Sequence, residues 1–431
     1  MPKGKQKRRS DANNARNTLV LPKMDIIGIS DEDSANDNAS VISSVSGSTI
    51  YEDTQIGDEI DQNQFEEFED KLSEAIEGMG VKSVQTRVQN IEAVSAALMK
   101  RFIPEFVGSR RLTITDAIER SLKKGRGAEQ AAAAQLAALL CLQLGSTNMV
   151  DDICQTLIPT LLLIIGDDSM SCIVRAKCCW ALSILTFVGN YEDMENVVEV
   201  LRQTYRMSFI KHSSLGTASL ANEAALYTAA LSAWCLLLTV MTTAPDNLSM
   251  DMKQIVTLLD SNCVEIRMAA GEIIAVILEQ IKDYDCVEEW EPDDDVLMKL
   301  KELATDSHKF RAKKDRKTQR SVFRDIIRYI EEGEFPKMQV RFGQECLSLD
   351  TWCRKKQYDC IRQALGSGMN LHLKENDLLR DILNLGEKIN TMSSPSHKQT
   401  KLERHLMNAA AFKARSICRG KHRDKRTISI S

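Results

Sequence analysis

The amino-acid sequence predicts an all-α protein, built as a HEAT- or armadillo-like helical-repeat solenoid, and three observations lead to this prediction. The 431-residue chain contains only 8 Pro and 20 Gly, and aromatic residues make up 5 % of it. Long Ala- and Leu-rich runs favour helices over strands when helix breakers are this few. Similar helical segments also recur at intervals in the forties, which is the period of paired-helix repeats.

The N-terminal residues 1–70 are predicted to be disordered, first basic and then acidic. The chain opens with PKGKQKRR, and thirteen Asp and Glu but no Lys or Arg lie between Asp31 and Asp70. A segment of this composition cannot bury enough apolar surface to offset the entropy lost on ordering. Its acidic part is opposite in charge to the C-terminal tail. It therefore either masks that tail or acts only as a solubilising extension.

Residues 71–335 are predicted to form the helical-repeat domain. Each helix pair of such an array buries its apolar face only against its neighbours, which gives an extended solenoid with a concave surface. A weaker fifth unit near Asn222 fills a double-length gap between the four clearest repeats. These four align at Arg87, Gln130, Arg175 and Arg267. The residues that follow them are expected at equivalent buried positions: Val88, Ala131, Ala176 and Met268.

A dense basic segment ends this domain. Residues 309–324 hold eight Lys and Arg against the single carboxylate of Asp315. Such a cluster in an acidic chain favours an RNA- or DNA-binding surface, although a solvated segment between helices would need no partner. The predicted RNA-binding residues here are Lys309, Arg311, Lys313, Lys314, Arg316, Lys317 and Arg320.

Residues 336–392 are predicted to form a small C-terminal module. Two short alternating runs around Gly343 predict a β-hairpin. Asp350 is a candidate N-cap for the helix TWCRKKQYDCIRQAL, which Gly366 and Gly368 would end. A further helix is expected to begin at Asp377.

Residues 397–426 are predicted to form a basic C-terminal helix and tail. Ten Lys and Arg occur between Lys398 and Arg426, against two carboxylates. On a helix, several of these cations lie opposite an apolar arc and beside one aromatic ring, an arrangement that suits contact with phosphates. A solvated tail or a nuclear import signal would use the same residues. The predicted RNA-binding residues are Lys401, Arg404, Phe412, Lys413, Arg415, Arg419, Lys421, Arg423, Lys425 and Arg426.

Several other classes of site are not predicted. The chain has no GxxxxGK[ST], GxGxxG, GxSxG or HExxH motif, so an enzyme is not expected. The twelve cysteines include no CxxC pair and are interpreted as reduced, structural thiols, and neither a metal nor a cofactor is expected. The apolar run 224–241 is interpreted as a buried core helix, because it contains Thr228 and Ser232 and lacks flanking basic anchors.

Four segments resemble the interferon-related developmental regulator family. They are RRLTITDAIERSLKKG from Arg110, ELATDSHKFRAKKDRKTQRSVFRDI from Glu302, LGSGMNLHL from Leu365, and FKAR with KHRDKR from Phe412. The similarity extends over most of residues 70–426. Residues 1–70 share only a basic start and an acidic character. The resemblance implies a helical-repeat protein without catalytic activity, acting in the cytoplasm and the nucleus during differentiation.

Two functions follow from this resemblance. In the first, the protein represses translation on inactive ribosomes: its body blocks the tRNA sites, its basic segments contact ribosomal RNA, and a helix at about Thr400–Arg419 occupies the mRNA path. In the second, it is a nuclear transcriptional co-regulator whose solenoid binds corepressor or deacetylase complexes. Neither function involves a membrane or a small-molecule substrate.

Overall fold

The computed structural model describes residues 62–189, 191–207, 217–282, 294–305, 313–336 and 338–388. All of these residues fall within one compact unit. They form fifteen α-helices and one two-stranded sheet, which confirms the predicted fold class. The elements are α1 (Gln62–Gly78), α2 (Val84–Lys100), α3 (Pro104–Lys124), α4 (Ala128–Leu144), α5 (Asn148–Gly166), α6 (Cys172–Val188), α7 (Met194–Arg206), α8 (Thr217–Leu238), α9 (Pro245–Thr257), α10 (Val264–Lys282), α11 (Asp294–Thr305), α12 (Lys313–Glu332), β1 (Met338–Phe342), β2 (Glu345–Leu349), α13 (Trp352–Leu365), α14 (Met369–Glu375) and α15 (Asp377–Ile382).

The first twelve helices form six pairs arranged in two rows. Each odd-numbered helix from α1 to α11 packs against the even-numbered helix that follows it. The even-numbered helices also contact one another in succession, from α2 through α12, and α3, α5 and α7 do the same in the second row. We call the first of these the even row. A shared apolar core of Leu, Ile, Val and Ala side chains runs along it, as expected for a repeat array.

The aligned polar residues have a common structural role near the beginning of the even-numbered helices. Arg87 donates to the carbonyls of Val81 and Lys82 in the preceding loop. In the same way, Gln130 donates to the carbonyl of Leu122, and Arg175 donates to that of Ile165. Arg267 donates to the carbonyl of Ser261. These side chains satisfy backbone acceptors that would otherwise lack partners between helices.

The residues that follow them are equivalent but are not fully buried, so the predicted burial of Val88, Ala131, Ala176 and Met268 is wrong. All four are half-buried. One residue further along a helix is a rotation of about 100°, which places these side chains at the border of the packed face. The fully buried positions come three or four residues after each aligned residue, as at Ile91, Ala134, Cys178 and Ala270.

Two apolar helices of the array pass a length and composition test for a membrane span. They are Asn148–Gly166 and the Ala221–Leu238 part of α8, and roughly half of each lies inside the structure. The second contains most of the run interpreted above as a core helix. It packs against α6, α7 and α10, with Trp234 completely buried.

The C-terminal elements lie against the C-terminal halves of the even row. The predicted hairpin is present as an antiparallel pair in which Val340 faces Leu347. Thr351, rather than the predicted Asp350, caps α13, because its side chain accepts from the backbone N–H of Arg354. Further along, a buried His372 ring nitrogen lies 3.1 Å from the carbonyl oxygen of Leu98. Asn376 donates to the carbonyl of Leu142 at the end of α4.

Candidate nucleic-acid interface

Helix α12 is amphipathic, with one face packed into the array and the other cationic. Phe323 and Ile326 are completely buried against α10. A Cβ added at Gly271 would lie 2.8 Å from the Phe323 ring, so a glycine permits this close approach. The opposite face carries four cations at helical spacing over about 16 Å. We call it the α12 face, and it consists of Lys317, Arg320, Arg324 and Arg328.

These cations are largely uncompensated within the described part of the chain. Lys317 and Arg324 are exposed and form no ion pair with a described residue. Arg320 is half-buried and donates through Nε to the carbonyl of Arg316. Arg328 lies 3.8 Å from a carboxylate oxygen of the exposed Glu332, a pair that contributes little in water. The face can therefore exchange its counterions for phosphates.

The position of the positive charge in α12 is unfavourable for the helix itself. Lys313, Lys314, Arg316 and Lys317 all lie within its first turns, with Asp315 as the single acidic residue there. The N-terminal end of a helix carries a partial positive charge, so cations at this end destabilise it. Cations placed where they destabilise their own helix are typical of a functional surface.

The structure locates only part of the first predicted RNA-binding set. Lys309 and Arg311 lie outside the described residues, and of Lys313 and Lys314 only the backbone is described. Lys317 and Arg320 lie on the α12 face, whereas Arg316 is half-buried beside it, with its Nε atom enclosed. Arg324 and Arg328, which also lie on the α12 face, were not among the predicted RNA-binding residues. Their spacing of seven and eleven residues from Lys317 is the signal that would have identified them.

The second predicted RNA-binding set falls entirely outside the described residues, so it stays a prediction. It comprises Lys401, Arg404, Phe412, Lys413, Arg415, Arg419, Lys421, Arg423, Lys425 and Arg426.

An ionic cluster of the buried Lys356 with the half-buried Lys355 and Glu272 joins α13 to the array and withdraws two lysines from any ligand. Lys356 donates to Ser232 at 2.8 Å and lies 3.4 Å from Glu272, and Lys355 lies 3.6 Å from Glu272. Burial lowers the pKa of Lys356, but the Glu272 carboxylate and the other acidic groups around it together outweigh burial and raise the pKa overall. Burial has the opposite effect on Glu272 and raises its pKa. The ammonium groups of Lys355 and Lys356 together lower that pKa by a larger amount, so the pKa of Glu272 is below its usual value. The cluster is thus fully charged near neutral pH.

The N-terminus of α13 is held by a second carboxylate of α10. The two oxygens of Glu279 accept from the backbone N–H groups of Trp352 and Cys353 at 2.8 and 2.7 Å. A carboxylate at this position satisfies unpaired donors and complements the helix dipole. Together, the ionic cluster and this contact fix α13 across α8 and α10.

The even row also has an open apolar groove, at its N-terminal halves. It has a volume of about 890 Å³ and lies between α6, α8 and the start of α10, with Gln363 of α13 at its rim. Trp180, Tyr227 and Ile266 form its walls, and several alanines of α8 form its floor. Ile173 is 53 % exposed beside it. Apolar surface of this kind is typical of a protein-binding site.

The described residues do not form a metal site, and their buried cysteines are protonated. No three His, Cys, Asp or Glu side chains among them group in a way that could hold a metal ion. Burial raises the pKa of the Cys178 and Cys235 thiols to about 12, which keeps both protonated near neutral pH. Cys346 is exposed, Cys353 is half-buried and Cys360 is buried.

Comparison with known proteins identifies relatives over most of the chain. The sequence profile of the interferon-related developmental regulator family matches residues 38–331, and that of the interferon-related protein conserved region matches residues 376–427. Interferon-related developmental regulator 1 of Homo sapiens is 36 % identical over 405 residues, covering 92 % of this chain and 89 % of the relative. Interferon-related developmental regulator 2 of Mus musculus is 37 % identical over 386 residues, covering 88 % of each chain. Among solved structures, an engineered protein aligns with 61 % of this chain and 99 % of its own, at 14 % identity and a TM-score of 0.39.

Proposed function

We propose that this chain, which belongs to the interferon-related developmental regulator family, is a non-catalytic, ribosome-binding repressor of translation. The family resemblance supports a regulator that acts by occupying tRNA sites and the mRNA path. In this proposal the array is a rigid body, and its basic segments contact ribosomal RNA.

The α12 face carries this proposal. Its four cations follow one side of a helix that is fixed in the array by the buried Phe323 and Ile326. Phosphate contact requires positive charge in a defined place and no base-edge chemistry, and counterion release supplies its free energy. The predicted basic segment 397–426, with ten Lys and Arg between Lys398 and Arg426, would provide further contacts.

The test removes the charges of the α12 face. We expect the change of Lys317, Arg320, Arg324 and Arg328 together to Gln to weaken co-sedimentation with purified ribosomes. If all four contact phosphates, the slope of log K against log salt falls by roughly 3 to 4 units. A matched control changes four exposed lysines elsewhere to Gln: Lys71, Lys100, Lys253 and Lys374.

Neither variant should alter the circular dichroism spectrum, because all eight side chains lie outside the core. Ribosome binding of the α12 variant that equals that of the control, with the same salt slope, would contradict the proposal.

The apolar groove favours a second candidate, the nuclear co-regulator that binds corepressor or deacetylase complexes through its array. In this alternative, Ile173→Glu with Ala225→Glu would abolish crosslinking to corepressor subunits and leave ribosome binding unchanged. Crosslinking of the wild-type protein decides between the two functions. Recovery of ribosomal RNA supports the repressor, whereas recovery of corepressor subunits without ribosomal RNA supports the co-regulator.

A further inference from the structure

The even row presents the N-terminal ends of its helices along one edge. Arg87 and Glu129 pair near the beginnings of α2 and α4, with their Nε and Oε1 atoms 2.7 Å apart. Arg267 likewise donates to Gln319 near the beginnings of α10 and α12. The loops that precede these helices therefore share this edge, which we call the N-terminal edge. The α12 face begins at one end of it.

At the other end of the N-terminal edge lies a second group of cations. Lys82 precedes α2, while Lys124 and Arg126 precede α4, and all three side chains are exposed. None of them forms an ion pair with a described residue. We call these three residues the loop patch.

Two carboxylates close to the loop patch in sequence already have partners. Glu129 is buried and forms a bidentate pair with Arg87, and Glu119 pairs with Lys123. Asp167 lines the same hollow as Lys124 and Arg126 but forms no ion pair with either, so the cations of the patch remain available to external anions. The backbone around them is open, since Gly127 has a φ of +55° and a Cβ there would meet nothing within 4 Å.

The middle of the N-terminal edge has the opposite charge. Asp167 is exposed in the loop before α6, and its pKa is lowered by hydrogen bonds from Ser169. Asp168 and Asp260 lie along the same edge, paired with Arg175 and Lys299. A polyanion would be attracted at both ends of the edge but not along its centre.

We infer that the loop patch is a second phosphate-binding surface, and that it acts with the α12 face to hold one structured RNA at two points. This inference rests on the proposed function and specifies the form of its RNA. Four helix spacings of 8–10 Å separate α4 from α12, a distance of about 32–40 Å. An A-form RNA stem rises about 2.8 Å per base pair, so this distance corresponds to about 11 to 14 stacked base pairs. A short duplex reaches one cationic surface, and a longer one reaches both.

The test uses two synthetic RNA hairpins, with stems of about 6 and about 20 base pairs, and the full-length chain. The loop-patch variant changes Lys82, Lys124 and Arg126 to Gln, and its control changes Lys100, Lys253 and Lys374 to Gln. On the long hairpin we expect the loop-patch variant to bind at least tenfold more weakly at moderate salt. The salt slope should fall by about 2 to 3 units, as three phosphate contacts require.

The stem length makes the expected result specific. The wild-type protein should gain affinity between the short and the long hairpin, and the loop-patch variant should lose most of that gain. Equal binding of the long hairpin by the loop-patch variant and its control would overturn the inference. The proposed function would still stand in that case, provided that the α12 variant binds ribosomes weakly. Normal ribosome binding by the α12 variant would instead contradict the proposal that the α12 face contacts ribosomal RNA.

Discussion

At the scale of single residues, buried polar groups determine how neighbouring elements are joined. The bidentate pair of Arg87 with Glu129 joins two helices, while Gln143 donates to the carbonyls of Leu98 and Arg101 at their other ends. Groups of this kind are costly to bury unless every partner is present. Removing one member should therefore cost much more than removing a surface charge.

The cluster around Glu272 provides the clearest test of this argument. Glu272→Gln removes the carboxylate partner of the buried Lys356, whereas the half-buried Lys355 keeps Asp359 at 2.8 Å. We expect the change to lower the free energy of unfolding by about 3 kcal/mol. The control Glu265→Gln, an exposed residue of the same helix, should change it by less than about 0.5 kcal/mol. Urea titration measures both changes. A difference within error between the two variants would show that the cluster is not energetically important.

The same cluster predicts a dependence on pH. The pKa of Glu272 in the folded protein is lowered, so its contribution to stability is fully present above its unfolded pKa of about 4.5. The contribution is lost as the pH falls through the folded-state pKa. The difference in stability between wild type and Glu272→Gln should thus be constant from pH 6 to 7 and should shrink below about pH 4.

At the scale of elements, local patterns predicted most helices and the hairpin. Helix breaks at Pro104 and Pro245 and the glycines around Arg126 are local signals, so they can be recognised in the sequence. The position of the C-terminal helices could not be predicted. It depends on contacts between residues far apart in the chain, such as His372 with Leu98, and no pattern within one helix encodes such a contact.

The turn between α13 and α14 lies very close to the backbone of the array. A Cβ added at Gly368 would lie 1.7 Å from the carbonyl oxygen of Met99, a backbone atom at the end of α2 that has no freedom to move away. Gly368→Ala should therefore destabilise the protein by about 3 kcal/mol or more. Ser367→Ala, at an exposed position in the same turn, is the control.

Hydrogen exchange would locate the effect of Gly368→Ala. We expect faster exchange in α13, α14 and α15 and unchanged exchange in α5 and α6, because the first group depends on this contact. A uniform change over the whole array, or no change at all, would contradict this account of how the C-terminal elements are attached.

At the scale of the whole molecule, charge is concentrated in a few places on an acidic chain. The formal net charge is −5 at pH 7, and the two densest cationic segments are residues 309–324 and 398–426. Composition alone predicted that these segments would bind a polyanion, but it could not show which cations share a face. The described structure groups Arg324 and Arg328 with Lys317, because only the packing of Phe323 and Ile326 establishes which side of α12 is outward.

Removal of residues 389–431 separates the contributions of the two basic segments. The sequence predicts that the basic segment 397–426 lies outside the packed array, so we expect the thermal midpoint of the truncated chain to stay within a few degrees of the wild type. Ribosome affinity should decrease strongly, because ten Lys and Arg between Lys398 and Arg426 are lost. The four α12 substitutions should then lower the remaining salt slope by roughly 3 to 4 units and leave only the part that the loop patch supplies. If truncation alone removes all salt-dependent binding, the α12 face contributes nothing and the tail is the whole RNA-binding site. If truncation changes neither affinity nor slope, the array alone binds RNA, and the role predicted for the terminal helix in the mRNA path is wrong.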